Sequence, residues 1–397
     1  MSNQLSPDQL SQDQALQHQG NSTGIFNGLP QYENFAQMQR VYSVATMDPP
    51  AIPFTFPQGQ KVSLPTTYDY DGKTRNLYCL LGGTDTSALL ILKRGEIRFE
   101  EYWLTGCADT QWISFSVAKS FVSALVGIAQ QEGQIKSLDD TMEYYVPLFK
   151  GKAYDGVRIK DVLEMSSGAR WNEDYSDPES EIFRLSVAGN GGSFDEFMRT
   201  MVAEREAGTL CRYNSADTQA LAMLIAEAMG RSLTDDMQEK LFQPLGMEQA
   251  GYWIVDVHGR EMAYAGLLMT ARDFAKFGEL YRLKGSWQGQ QIVPADYVSA
   301  STQPQSPHTQ PNKPVVGDHV LGPGYGYQWW IPAAGANTFA AIGVYNQFIF
   351  VDPERETVIV KLSANLSYGT TNLEEDNKDN ENLAALLAIS EHIAETN

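Results

Sequence analysis

The feature that most constrains this chain is a lysine set at the head of an apolar helix. Residues 114–121 read Ser-Phe-Ser-Val-Ala-Lys-Ser-Phe and continue through Val122, Leu125, Val126 and Ile128. A segment so apolar reads as a buried helix, and a lysine within it has poor access to water. Ser116 and Lys119 stand three apart, share a helix face, and bring the amine within reach of the hydroxyl. Burial and the positive helix N-terminus both disfavour the ammonium form, which lowers the lysine pKa towards a neutral amine able to take a proton. A serine so placed can become a nucleophile without histidine. The tetrapeptide alone is weak, because Ser-x-x-Lys arises by chance about once or twice in a chain of this length. The same letters also fit an N-cap serine followed by a lysine that snorkels to water.

Periodicity places this helix among others at 194–204, 215–229, 270–283 and 294–301. Strand patterns flank them. Residues 87–92 and 97–103 form a hairpin around Arg94-Gly95, and 324–331, 339–344, 347–351 and 358–362 follow near the other end. An amphipathic helix over 380–393 closes the chain. The expected fold is α/β of the α+β kind: an antiparallel sheet drawn from both termini (about 75–110 and 322–365), flanked by helices, with a mostly helical lobe inserted at about 130–310. Residues 1–60, rich in Gln, Asn, Ser and Pro, are read as an extended arm that wraps the surface or packs on a second copy in a homodimer. Residues 61–397 form the folded domain.

Two further stretches gain meaning beside the first. Arg212-Tyr213-Asn214-Ser215 precedes a helix, and a phenol held near a cation has a depressed pKa and can shuttle a proton. It equally fits a tyrosine packed on a turn capped by Asn214 or Ser215. In Ala341-Ile342-Gly343-Val344-Tyr345, the glycine admits close approach of a substrate to the backbone, and the next amide could face an oxyanion. A plain hairpin accounts for those letters too.

Composition narrows the classes. With 29 basic and 49 acidic residues the net charge is -20, which repels nucleic-acid phosphates and anionic lipids. Neither a nucleic-acid nor a membrane partner is expected. Three widely spaced cysteines suggest neither a disulfide framework nor a zinc site, so no metal and no cofactor is called for. The first twenty residues hold six glutamines, two aspartates and no lysine or arginine, unlike a secretory signal, and the expected setting is cytoplasmic.

Taken together, the three elements resemble the serine β-lactamase and penicillin-binding-protein superfamily, whose signature opens with Ser-x-x-Lys. The framework stretches at 141–147 (TMEYYVP), 159–168 (IKDVLEMSSG) and 269–278 (MTARDFAKFG) are similar to class C β-lactamases, their esterase relatives and especially the 6-aminohexanoate-dimer hydrolases. The resemblance implies Ser116 as acylated nucleophile, Lys119 as its proton acceptor and Tyr213 as the acid/base. It puts Gly343 at the glycine of the third motif and makes the oxyanion hole from the Ser116 and Val344 N–H groups. In the loop after Ser167-Gly168, Tyr175 is the implied contact to a substrate amide, while Trp171, Trp329, Trp330 and Tyr345 are candidates to line an acyl pocket. Ser215 stands where class C enzymes have the asparagine of Tyr-x-Asn, and Ala341 replaces the cation that opens their third motif. The expected function is therefore a serine hydrolase acting through an acyl-enzyme on a small carboxylic ester or linear amide.

Other readings are β-lactamase or DD-peptidase activity, a non-catalytic ligand-binding relative, and a Ser-His-Asp hydrolase using His258 beside Asp256. The acidic loop 172–181 either favours an ammonium on the substrate or is simply solvated.

Overall fold

The computed structural model describes residues 31–317, 319–332 and 337–395. Its largest element is a seven-stranded sheet with strands β1 (Thr86–Lys93), β2 (Glu96–Tyr102), β3 (Gly324–Tyr325), β4 (Trp330–Ile331), β5 (Phe339–Gly343), β6 (Gln347–Asp352) and β7 (Thr357–Ser363). They lie in the order β3-β4-β5-β6-β7-β1-β2, every pair antiparallel. The two ends of the chain meet at β7 and β1, where Val360 pairs with Leu90 and Ile359 with Ile91.

Four helices matter to the site: α1 (Ala118–Gln131), α2 (Ser215–Met229), α3 (Ala271–Arg282) and α4 (Asp379–Glu395). Because side chains alternate along a strand, the sheet feeds two cores. Leu90, Leu92, Ile349, Val358 and Val360 pack with Phe274 and Phe277 of α3, whereas Leu89, Ile91, Phe348, Phe350 and Ile359 pack with Leu386 and Ile389 of α4. Both faces are covered, which is why β1, β6 and β7 are buried along their whole length. Helix α1 is buried from Ala118 to Ala129 and packs against α2 of the lobe.

Some elements differ from expectation. The helix at 194–204 stops at Arg199. The single strand at 324–331 is two short strands joined by a reversal, with Gln328 at φ +63°. That residue is held there because its side chain bridges sheet and lobe, accepting from the Thr218 hydroxyl at 2.6 Å and donating to the Leu163 carbonyl at 2.9 Å.

Of the stretch expected as an extended arm, residues 1–30 lie outside the described residues. Residues 31–60 are folded onto the body: helices Gln31–Phe35 and Met38–Val41 lead into strand Val44–Met47, which pairs antiparallel with Gly251–Ile254. The anchor is Phe35, buried with its ring 5.0 Å from those of Phe115 and Tyr345 and 5.9 Å from Trp112. One aromatic side chain here outweighs a polar composition. Among the described residues no helix is long and apolar enough to cross a membrane.

Phe35→Ala should lower the unfolding free energy by about 3–5 kcal/mol, the usual cost of emptying a buried aromatic site. Denaturant unfolding measures it, and a loss under about 1 kcal/mol would mean that the segment merely rests on the surface.

Candidate active site

Ser116 sits in a 3-10 turn, Phe115–Val117, at the entry to α1. The preceding strand Trp112–Ile113 pairs with Leu267–Met269 and fixes the approach. Phe115 adopts φ +44°, a costly conformation for a bulky residue, and is held there by its contacts with Phe35 and Tyr345. The turn aims the Ser116 side chain at Lys119, whose Nζ lies 2.8 Å from the Ser116 Oγ and donates to the Tyr264 carbonyl at 2.8 Å. Lys119 is 1% exposed. Burial pushes its amine down to about 7, against a partial opposing pull from the Glu173 charge. The amine is therefore available as a base near neutral pH.

Tyr213 completes the group from the turn before α2, where Asn214 caps the helix by accepting from the Ala216 N–H at 2.8 Å. Its ring lies 5.1 Å from Lys119 Nζ and stacks on Trp330 at 5.2 Å. The expected depression of its pKa is not what the surroundings produce. Burial first, and Glu173 second, push the phenol well above its usual range, the Ser116 contact opposing. A desolvated amine near 7 supplies little cation to favour phenolate, so Tyr213 stays protonated and suits a proton relay or acid.

Gly343 ends β5 flush against this turn. A Cβ there would fall 2.5 Å from the Ser114 carbonyl oxygen and 3.1 Å from the Ser116 nitrogen, so only glycine lets the strand come so close. Ser116, Gly343 and Val344 line a cavity of about 620 Å³ together with Trp171, Tyr175, Tyr213 and Trp330. Ser116 and Val344 also border a niche of about 20 Å³ with Tyr175, Ser215 and Tyr264.

Tyr345 does not join them. The hairpin after β5 takes Tyr345 to φ +64°, which turns its ring into the cluster of Phe35, Phe115 and Tyr368, fully buried. Its expected place in a substrate pocket is corrected to one in the core. Trp329 is likewise core, stacked on Phe277 at 5.9 Å. His258 is not among the cavity residues. The Asp256 carboxylate beside it accepts backbone N–H groups from Phe194, His258 and Arg260, a structural role.

The acidic loop is not uniformly solvated. Glu173 is fully buried and accepts hydrogen bonds from the Trp171 indole, the Tyr175 hydroxyl at 2.8 Å, the Ser215 hydroxyl at 2.6 Å and the Ser215 N–H at 3.1 Å. Sequence reasoning named it only as one loop acid among several. The alternation Trp171, Glu173, Tyr175 was the available signal, since residues two apart share a side of extended chain. Asp379 at the start of α4 was also missed. It lines the cavity, accepts from the Tyr368 hydroxyl at 2.7 Å, and is pushed up to about 7 by burial and then by Glu374.

Residues 81–385 match the model of the Beta-lactamase family. The 6-aminohexanoate-dimer hydrolase of Paenarthrobacter ureafaciens is 29% identical over 289 residues, 71% of this chain and 73% of that protein. In fold the chain is similar to a solved Bacillus anthracis protein described as a candidate 6-aminohexanoate-dimer hydrolase, with TM-score 0.80 and 24% identity over 94% of this chain and 97% of that one. It is also similar in fold to a family VIII carboxylesterase, with TM-score 0.60 and 15% identity, covering 79% and 94% of the two chains.

Gly343→Ala tests the geometry. The two nearest atoms to the added methyl are backbone, with the Gln347 Cβ next at 3.2 Å, so β5 and the Ser116 turn must part, and a hydrolytic rate should fall by about 100-fold. A variant within about threefold of the parent rate would show that the close approach is not needed.

Proposed function

The chain belongs to the β-lactamase family and is a hydrolase of that type, and from that premise we propose that Ser116 carries an acyl-enzyme formed from a small linear amide or a carboxylic ester. The observation that carries the proposal is the 2.8 Å contact between the Ser116 hydroxyl and a buried amine that titrates at about 7. Neutral Lys119 takes the hydroxyl proton as Oγ attacks the carbonyl carbon, and the Oγ–C bond forms. The N–H groups of Ser116 and Val344 are the proposed donors to the oxyanion. Tyr213 gives its proton to the leaving nitrogen or oxygen and is reprotonated from Lys119, and the scissile bond breaks. Water then enters and attacks the acyl carbon, losing a proton to the Lys119 and Tyr213 relay, which returns it to Ser116 Oγ as the Oγ–C bond breaks and the acid leaves.

Size and charge support a short linear substrate. About 620 Å³ suits a small molecule. The lining carries both signs, the acids Glu374 and Asp379 and the guanidiniums Arg205 and Arg212 that pair with Glu204, which suits a chain that bears an amine and a carboxylate, like a 6-aminohexanoate dimer. Ala341 is buried in β5, which leaves the third motif without a cation for a β-lactam carboxylate. A cytoplasmic setting belongs to the proposal, supported by the exposed thiols Cys79 and Cys107, which suit a reducing compartment.

A panel of the 6-aminohexanoate linear dimer, p-nitrophenyl esters and nitrocefin checks this, with turnover expected on the first two classes. Ser116→Ala should abolish turnover and labelling by a fluorophosphonate, and retained activity would remove the nucleophile. In pH profiles, kcat/KM should fall about tenfold per unit below pH 7 and level off above it, because protonated Lys119 cannot accept the serine proton. A profile flat across pH 6 to 8 would exclude Lys119 as the base.

A further inference from the structure

Gln328, in the turn between β3 and β4, is held from several sides at once. It adopts φ +63°, a strained conformation for a residue with a side chain, and it is buried. Its carbonyl accepts from the Ser120 hydroxyl at 2.7 Å, and its carboxamide oxygen accepts from the Thr218 hydroxyl at 2.6 Å. The carboxamide nitrogen donates to the Leu163 carbonyl at 2.9 Å, and the main-chain N–H reaches the same carbonyl at 3.2 Å. Both main-chain groups and both ends of the side chain are thus engaged, with α1, with α2 and with the short helix Ile159–Leu163.

Each of these partners leads to the active site. Ser120 follows Lys119 on α1. Thr218 lies in the first turn of α2, just after the cap that follows Tyr213. Leu163 leads to Met165, whose carbonyl accepts the Arg212 N–H at 2.8 Å and whose sulfur accepts the Asn214 N–H at 3.4 Å, so that both neighbours of Tyr213 hang from it. The turn itself continues into Trp330, whose ring stacks on that of Tyr213 at 5.2 Å. Four routes therefore run from one glutamine, three of them to the phenol and one to the helix that bears the amine.

We infer that Gln328 is a positioning residue that holds the Tyr213 hydroxyl in register with Lys119 and the leaving group. The inference rests on the reading of Tyr213 as the donor to the leaving group and adds what keeps it in place. Gln328 needs no contact with substrate to act in this way. A donor displaced by about 1 Å loses on the order of 100-fold in rate. That loss falls on leaving groups that must be protonated as they depart, such as an alkoxide, and spares p-nitrophenolate, which leaves as the anion.

The experiment measures kcat/KM for one acyl group, 6-aminohexanoyl, carried on ethanol and on p-nitrophenol. The proteins are the parent, Gln328→Gly, Thr218→Val, Tyr213→Phe and the double variant Gln328→Gly with Tyr213→Phe. Glycine keeps the positive φ without strain and removes the side chain, while valine at 218 deletes the same hydrogen bond from its other end. The ratio of ethyl to p-nitrophenyl ester should drop at least about fivefold in both Gln328→Gly and Thr218→Val. Once Tyr213 is phenylalanine, adding Gln328→Gly should cost less than about twofold on either ester, because the route through the phenol is already lost. Equal losses on the two esters in both single variants, or losses that simply multiply with that of Tyr213→Phe, would make Gln328 general scaffolding and overturn the inference while the bias of Tyr213→Phe itself stands. If Tyr213→Phe affects both esters alike, or the parent turns over neither and Ser116 takes no fluorophosphonate label, the parent reading falls and the inference with it.

Discussion

The removal of the Lys119 amine from water, with its nitrogen held 2.8 Å from the Ser116 hydroxyl, is the interaction on which the site depends. An ammonium in contact with solvent would hold its proton at neutral pH and leave the serine an ordinary alcohol. Burial makes the neutral form accessible at about 7, and the Tyr264 carbonyl gives one N–H a partner so that the amine keeps its orientation. Much of the surrounding architecture serves this condition. Helix α1 is buried almost throughout, the sheet closes one side through Gly343, and the lobe closes the other through Tyr213 and Tyr264.

Three separate parts of the chain therefore have to be in register for the site to exist. The pairing of Trp112–Ile113 with Leu267–Met269 sets the Ser116 turn, β5 abuts its backbone, and the capped start of α2 delivers Tyr213. Glu173 ties a fourth part to these, since its bonds to Ser215 connect the loop to the first residue of α2. Its charge also acts on Lys119 and Tyr213 together, favouring the protonated form of each. The balance is set by desolvation of the amine, the larger effect at Lys119.

What the sequence made legible followed from periodicity and local chemistry. The hairpin at Arg94-Gly95, the strands that became β5, β6 and β7, and the Asn214 cap were readable because alternation, turn residues and capping side chains act over a few positions. The Ser116 and Lys119 pair was readable because both lie within one helical turn. Long-range outcomes were not. Nothing local shows that Phe35 anchors the polar N-terminal stretch, that the turn at Tyr345 carries its ring to the core, or that Glu173 is sealed from solvent by Trp171 and Ser215. The sign of the Tyr213 shift was likewise a property of the assembled site, where burial and then the Glu173 charge raise it.

Direct observation of the Lys119 titration tests the central claim. With carbon-13 lysine in the chain and Lys119→Arg to assign its signal, the side-chain resonance of Lys119 can be followed against pH by NMR. The account expects its transition at about 7, separate from the surface lysines. A transition near 10.4, the value of a solvated lysine, would contradict it, because the serine would then face an ammonium at neutral pH.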